Sequence, residues 1–245
     1  MATLLLRLAA PLQSWGTDSK FEIRRTDRQP SKSGVLGLVA AALGYRRDDD
    51  AAIQSLHALR FGVRVDREGQ QLLNDLHNAH AEKFWTTGDA KTYAYITHRY
   101  YLADAIFLAG LESDDEALLQ QIADALQHPA YPLFLGRRSC PPTLPLCLGI
   151  RQNTLEEALQ GEPSLVTHSI QKDDNQQVRM QIEPKEITAT DAVVQDKPIS
   201  FSPLHRDYGY RPVREQLIRL DRMSDEQTLQ NAETDHDPFS ELSES

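Results

Sequence analysis

The chain has few cysteines, few aromatic residues and no long apolar run, and each shortage removes a class of protein. Cys140 and Cys147 are the only cysteines. Their C-x6-C spacing matches no common zinc pattern, no His or Cys cluster completes it, and two free thiols supply no disulfide framework. The longest apolar candidate, Gly34 to Gly44, covers eleven residues rich in Gly and Ala, against the roughly 20 needed to cross a bilayer. The N-terminal TLLLRLAAPL is equally short, is interrupted by Arg7 and lacks a basic lead-in, so it does not read as a secretory signal. The expectation is a cytoplasmic protein with no membrane partner. G-x-S-x-G, H-E-x-x-H, EF-hand and Walker A patterns are all missing, and no cofactor or metal is implied.

What is present suits a globular fold. The 245 residues, 40% hydrophobic and 25% charged, can bury a real core. The formal net charge of -10 is unevenly spread. Residues 1–47 carry eight Lys/Arg against three acids, whereas residues 221–245 carry eight acids and only Arg222. An acidic tail therefore masks a basic N-terminal surface, and the average charge does not exclude a nucleic-acid partner.

Periodicity and turn residues predict the following order. TLLLRLAA (3–10) is a strand, and residues 11–30 are a long loop. A helix starts at Ser31 or Ser33, runs to about Leu43 and stops at Gly44, with Arg46 and Arg47 at the negative end of its dipole. FGVRVDR (61–67) is a strand with Phe61, Val63 and Val65 on one face. Residues 70–98 read as an extended hairpin or arm, RYYLADAIFLAGL (99–111) as one central strand and SDDEALLQQIADALQ (113–127) as an amphipathic helix. LFLGRRSCPPTLPLCLGI (133–150) gives a turn and an extended segment. The fold class is α+β, close to the β-α-β-β-α-β ferredoxin-like arrangement over residues 1–150. A β-rich region follows over 151–220, with a short helix at 154–159 and strands at 164–170, 176–183 and 216–220. Residues 221–245 have the composition of a disordered tail.

Three stretches carry candidate chemistry. In RRTDRQPSKSG, Arg24, Arg25 and Arg28 lie on the loop ahead of a helix N-terminus, where free N–H groups attract anions. Ser31 and Ser33 offer hydroxyls and Lys32 a point charge. Cations spread over nine residues suit a polyanion; the plainer reading is a solvated loop before a core helix. Arg137 and Arg138 follow Gly136 in a turn that either meets a nucleic-acid backbone or is simply solvated. Trp15 either stacks on a base or anchors its loop in the core. The arm interleaves His77, His80, Lys83, Trp85, Lys91, Tyr93, Tyr95, His98, Tyr100 and Tyr101, a mixture suited to single-stranded nucleic acid. His98 and Tyr100 are candidate base contacts. The same residue types also permit metal-free ribonuclease chemistry, and a small-molecule phosphate enzyme is a third reading.

LLLRLAAPLQSWG, RRTDRQPSKSGVLGLVAAALG followed by RRDD, HRYYLADAIF and LFLGRRSCPPTLPLCLG occur in this order over residues 3–150. Together they resemble the CRISPR-associated protein 5 family, in the form that serves the type I-E Cascade complex. The resemblance implies a RAMP-type, ferredoxin-like domain with a protruding β-hairpin thumb at about 70–98 and a smaller C-terminal β region. It implies a non-catalytic subunit that grips the 5′ handle of CRISPR RNA and caps the filament of backbone subunits. Such a subunit also touches the large PAM-reading subunit, and meets target DNA only through the complex. Type I-C relatives cleave the precursor RNA themselves, so an endoribonuclease is the alternative, although no type I-C catalytic set maps onto this chain. The RNA-binding residues expected are Trp15, Arg24, Arg25, Arg28, Ser31, Lys32, Ser33, His98, Tyr100, Arg137 and Arg138.

Overall fold

The first strand, β1 (Ala2–Ala9), is buried on both faces, which makes it the centre of the fold. A computed structural model describes residues 1–16, 19–20, 22–69, 71–79, 84–86, 89–91, 95–166 and 177–220. At 19–20, 79, 84–86, 89–91 and 95 only the backbone is described. The expected acidic tail, His80, Lys83, Tyr93 and residues 167–170 and 176 of two expected strands lie outside these residues.

After β1 come β2 (Leu12–Gln13), β3 (Ser19–Lys20) and β4 (Ile23–Arg24), then α1 (Lys32–Ala42) and α2 (Asp50–Ser55). β5 (Arg60–Arg67) leads into β6 (Gln71–Ala79), β7 (Phe84–Thr86), β8 (Asp89–Lys91) and β9 (Tyr95–Ala103). β10 (Ile106–Ser113), α3 (Glu116–Gln127), β11 (Cys147–Arg151) and α4 (Leu155–Gly161) follow. The last elements are β12 (Gln177–Ile182), β13 (Ala192–Ser200) and β14 (Asp207–Arg219). This is a mixed α/β structure built on one large antiparallel sheet, in the order β11-β1-β10-β5-β12-β14-β13. Residues beyond 150 thus continue the same sheet, β12 pairing with β5.

Strand alternation divides the core. Leu4, Leu6 and Leu8 pack with Phe61, Val63, Phe107 and the apolar sides of α1 and α3. Leu5 and Leu108, on the opposite face, pack with Leu155 and Leu159 of α4 and with Val178 and Met180. Helix α3 is amphipathic as expected, but it starts at Glu116 with Asp115 as its cap. Asp115 accepts from the Leu118 N–H at 3.0 Å, and Leu119, Ile122, Ala123 and Leu126 bury one stripe. Thr154 and Glu157 close a reciprocal capping box at the start of α4.

One strand expectation needed correction. Residues 99–111 are not one strand: Asp104 takes φ 56, and the chain changes sheets there. β9 joins a second sheet of order β2-β9-β4-β3, to which β6 adds by pairing with β9. β5 is also buried on both faces, because Arg64 and Asp66 form an ion pair at 2.6 Å beneath α4. The Arg64 guanidinium also donates to the carbonyls of Leu159, Glu162 and Pro163, which makes burying that charge tolerable. β6 and β9 form the long hairpin expected of the arm, in register from Gln71↔Ala103 to Ala79↔Tyr95. β13 carried no sequence expectation.

Candidate nucleic-acid interface

The arginine loop is held by Trp15 and by Arg137. Trp15 is 1% exposed. Its Nε1–H donates to Gln13 Oε1 at 3.0 Å and its backbone N–H to Thr26 Oγ1 at 2.8 Å. The Asp27 N–H donates to the Trp15 carbonyl at 2.9 Å. The ring lies on the first turn of α1, where a Cβ on Gly34 would fall 2.8 Å from Trp15 Cε3. Both faces of the ring are taken by the protein, so Trp15 is a core anchor of the loop and not a base platform. Its removal is a large-to-small core change worth about 3–5 kcal/mol.

Arg137 supplies the next tie. It donates from Nη1 to the Tyr100 carbonyl at 3.0 Å and from Nη2 to the Arg24 carbonyl at 2.7 Å. Its guanidinium lies 4.7 Å from the Tyr101 ring centroid. Gly136 sets this turn: it takes φ +89, and a Cβ there would sit 1.6 Å from the Ser14 carbonyl oxygen. Gly136→Ala therefore destabilises by more than about 2 kcal/mol through backbone strain and clash together. Asparagine tolerates positive φ, yet Gly136→Asn meets the same oxygen and is not expected to rescue. Thermal denaturation of both variants checks this; recovery by Asn would mean that only φ matters.

Against these supports lies a groove of about 1540 Å³. The side of α1 bearing Ser33, Gly34, Gly37, Leu38, Ala40 and Ala41 contributes small and apolar residues to its lining. Arg24, Arg25, Arg46, Arg47, Arg137, Arg138 and Arg206 line it, and Asp48 is the one acid among its lining residues. Asp48 pairs with Arg46 at 3.0 Å. Arg24, Arg25, Arg47, Arg138 and Arg206 are exposed, and among the described residues none forms an ion pair. Tyr45, Tyr131, Phe134, Phe201 and Tyr208 add aromatic surface. Unpaired arginines beside aromatic rings in one concavity suit a polyanion with planar groups.

At the N-terminus of α1 the Lys32 and Gly34 N–H groups are paired within the chain. Ser31 caps it, accepting the Gly34 N–H at 3.2 Å, and its Oγ lies 3.3 Å from Ser33 Oγ. The Lys32 N–H donates to Asp196 Oδ2 at 2.8 Å. Lys32 Nζ turns inward to both Glu183 oxygens, at 2.9 and 3.0 Å. Arg211 completes the cluster through Asp196 and lies 3.5 Å from Glu183. Burial pushes the Lys32 ammonium below the ordinary lysine value, and the Glu183 carboxylate opposes that shift. The anion that the helix end attracts is thus Asp196 of β13.

Sequence comparison fits this picture of a cationic groove on an antiparallel scaffold. The family model described as CRISPR-associated protein (Cas_Cas5) matches residues 3–214. The chain belongs to the CRISPR-associated Cas5 family. It is 38% identical over 159 residues to the Cascade subunit CasD of Escherichia coli strain K12, across 61% of this chain and 71% of that protein. A solved structure titled as a CRISPR RNA-guided surveillance complex contains a chain with TM-score 0.72 and 32% identity, covering 89% of this chain and 90% of that one. A crystal structure of a Cas protein matches with TM-score 0.66 and 37% identity, over 90% and 98% of the two chains.

Within this Cas5-family chain the structure sorts the residues singled out from sequence. Arg24, Arg25 and Arg138 come together at the groove, with Ser31 and Ser33 at its edge. Arg28 is exposed but outside the lining. Lys32 is corrected from a phosphate ligand to a buried ion pair, since its ammonium is 3% exposed and committed to Glu183. Arg137 is corrected from a free phosphate contact to a positioning residue, because its donors meet carbonyl oxygens. On the arm, His98 and Tyr100 are half-buried, and the His98 ring Nδ1 lies 3.3 Å from Asn74 Nδ2. His77 is opposite Thr97 and His98 opposite Leu76 in the ladder, so the two histidines face opposite sides of the hairpin. Arg206 carried no sequence expectation. Arg46 and Arg47 were read as dipole partners alone, although two adjacent arginines just past a helix stop were the available signal.

Proposed function

We propose that the chain is a non-catalytic CRISPR RNA-binding subunit of a type I-E Cascade surveillance complex, gripping the 5′ handle and capping the backbone filament. The observation that carries this reading is the arginine-lined groove in a member of the Cas5 family. In this reading, strands β11-β1-β10-β5 with α1 and α3 on one face are the ferredoxin-like RAMP core, residues 1–150. The β6–β9 hairpin is the thumb, residues 151–220 are the smaller C-terminal β region, and 221–245 are an acidic tail. Arg24, Arg25 and Arg138 hold phosphates, Arg28 extends the same surface, and Ser31 and Ser33 border it. His98 and Tyr100 are base contacts on the thumb. The partners are CRISPR RNA, the backbone subunits and the large PAM-reading subunit, in the cytoplasm, with target DNA reached through the complex.

Cleavage of precursor RNA by this chain is the competing reading. The opposed faces of His77 and His98 weigh against those two acting on one phosphate as acid and base. Among the described residues no helix is long and apolar enough to cross a membrane. Incubating the purified chain with repeat RNA in the absence of metal separates the readings. The expected result is salt-sensitive binding with the RNA intact. Cleavage at a single position, lost on substitution of His77 or His98, would overturn the non-catalytic assignment.

A further inference from the structure

We infer that the groove has a second phosphate subsite at the C-terminal end of α1, where Arg47 holds the backbone of a single-stranded RNA already engaged by Arg24, Arg25 and Arg138, with a base lying on Tyr131. This rests on the RNA-binding reading and adds to it the length and course of the bound segment.

The two ends of the groove are set apart by the helix itself. α1 has eleven residues, so its ends are about 16 Å apart at 1.5 Å per residue. At the near end Gly136 packs on Ser14, bringing Arg138 beside the arginine loop. At the far end Gly44 takes φ +78 and turns the chain, placing Arg46 and Arg47 past the last helical turn. Tyr131 is held there by donation from its N–H to the Ala41 carbonyl at 3.3 Å, and Ala130 donates to the Ala42 carbonyl at 3.0 Å. The Tyr131 side chain is half exposed, at 50%, so its ring is open to a ligand.

Charge and chemistry select the occupant. Arg46 is engaged by Asp48, whereas Arg47 and Arg206 have no ion-pair partner among the described residues. Between the two cationic ends the α1 lining is Gly37, Leu38, Ala40 and Ala41, which offers apolar surface and no charge. A small phosphate compound needs one cationic cluster. Cations beyond both ends of a helix whose ends are about 16 Å apart, with small apolar residues between them, fit a chain of phosphates carrying planar bases. At the 3.4 Å rise per nucleotide of a stacked strand, that separation corresponds to about five nucleotides, near the small end of known single-strand site sizes.

The test uses the full chain and fluorescein-labelled oligouridine of about three and about eight nucleotides, bracketing the proposed segment. An Arg47→Ala variant is expected to lose about fivefold in affinity for the longer RNA near ~0.1 M salt, and its log K against log salt slope falls by about 0.7. Its affinity for the shorter RNA barely changes, because the near end still holds that oligomer. Tyr131→Leu weakens the longer RNA by at least about fivefold without altering the slope. An unchanged slope in the Arg47 variant, or equal losses on both lengths, would overturn the second subsite while leaving RNA binding intact. Failure of the wild-type chain to bind either RNA at low salt would instead overturn the RNA-binding reading itself.

Discussion

An Asp196→Ala variant unfolds more easily than the wild type by about 3–5 kcal/mol, the usual consequence of leaving a buried charge without its partner. Asp196 is 4% exposed. It receives two donors from Arg211 and the Lys32 backbone N–H. Without it Glu183, at 3.5 Å, is the one acid left paired with Arg211 among the described residues, and the start of α1 loses an acceptor. For a chain of this size the expected fall in Tm is roughly 10 °C. Asp196→Asn retains an acceptor but not the charge and is expected to fall between the two. A loss below about 1 kcal/mol would mean that water reaches the cluster. The same argument makes Lys32→Met a stability variant: it takes from Glu183 its nearest cation, leaving the Phe61 N–H and the longer Arg211 contact, and leaves the RNA salt dependence unchanged.

Removing the groove charges has the opposite profile. An Arg24→Ala/Arg25→Ala/Arg138→Ala variant keeps its thermal stability, because all three side chains are exposed and none is paired among the described residues. Its RNA binding changes sharply. Three lost phosphate contacts reduce the salt slope by about 2, equivalent to roughly a hundredfold weaker binding near ~0.1 M salt. The measurement is a fluorescence titration at several ionic strengths. A weaker complex with an unaltered slope would mean that these arginines shape the groove and do not touch phosphate. An Arg137 variant is expected to differ from both, losing stability and affinity together, since its guanidinium ties the loop to β9.

Local chemistry made much of this legible in advance. Ser31 and Gly44 mark the ends of α1, the apolar stripe of residues 113–127 marks α3, and the alternation of Phe61, Val63 and Val65 marks β5. Each depends on neighbours within a few residues. The errors have the opposite character. Lys32 looked like a phosphate ligand because its partners, Glu183 and Asp196, are more than 150 residues away in sequence. Nothing near Arg64 and Asp66 in the sequence announces that α4 covers their face. The switch of sheets at Asp104 was hidden by apolar residues on both sides. The groove itself was half visible: its near end is a contiguous cationic motif, whereas Arg206 reaches it from the turn between β13 and β14.

Arg137 joins parts that the chain keeps far apart. One guanidinium fastens Arg24 and Arg25, near the N-terminus, to Tyr100 and Tyr101 on the strand that forms one side of the arm. The arm and the groove therefore share a joint. A shift of β9 by an ångström carries the arginine loop with it, and whatever grips the hairpin from outside also sets the spacing of the charges in the groove.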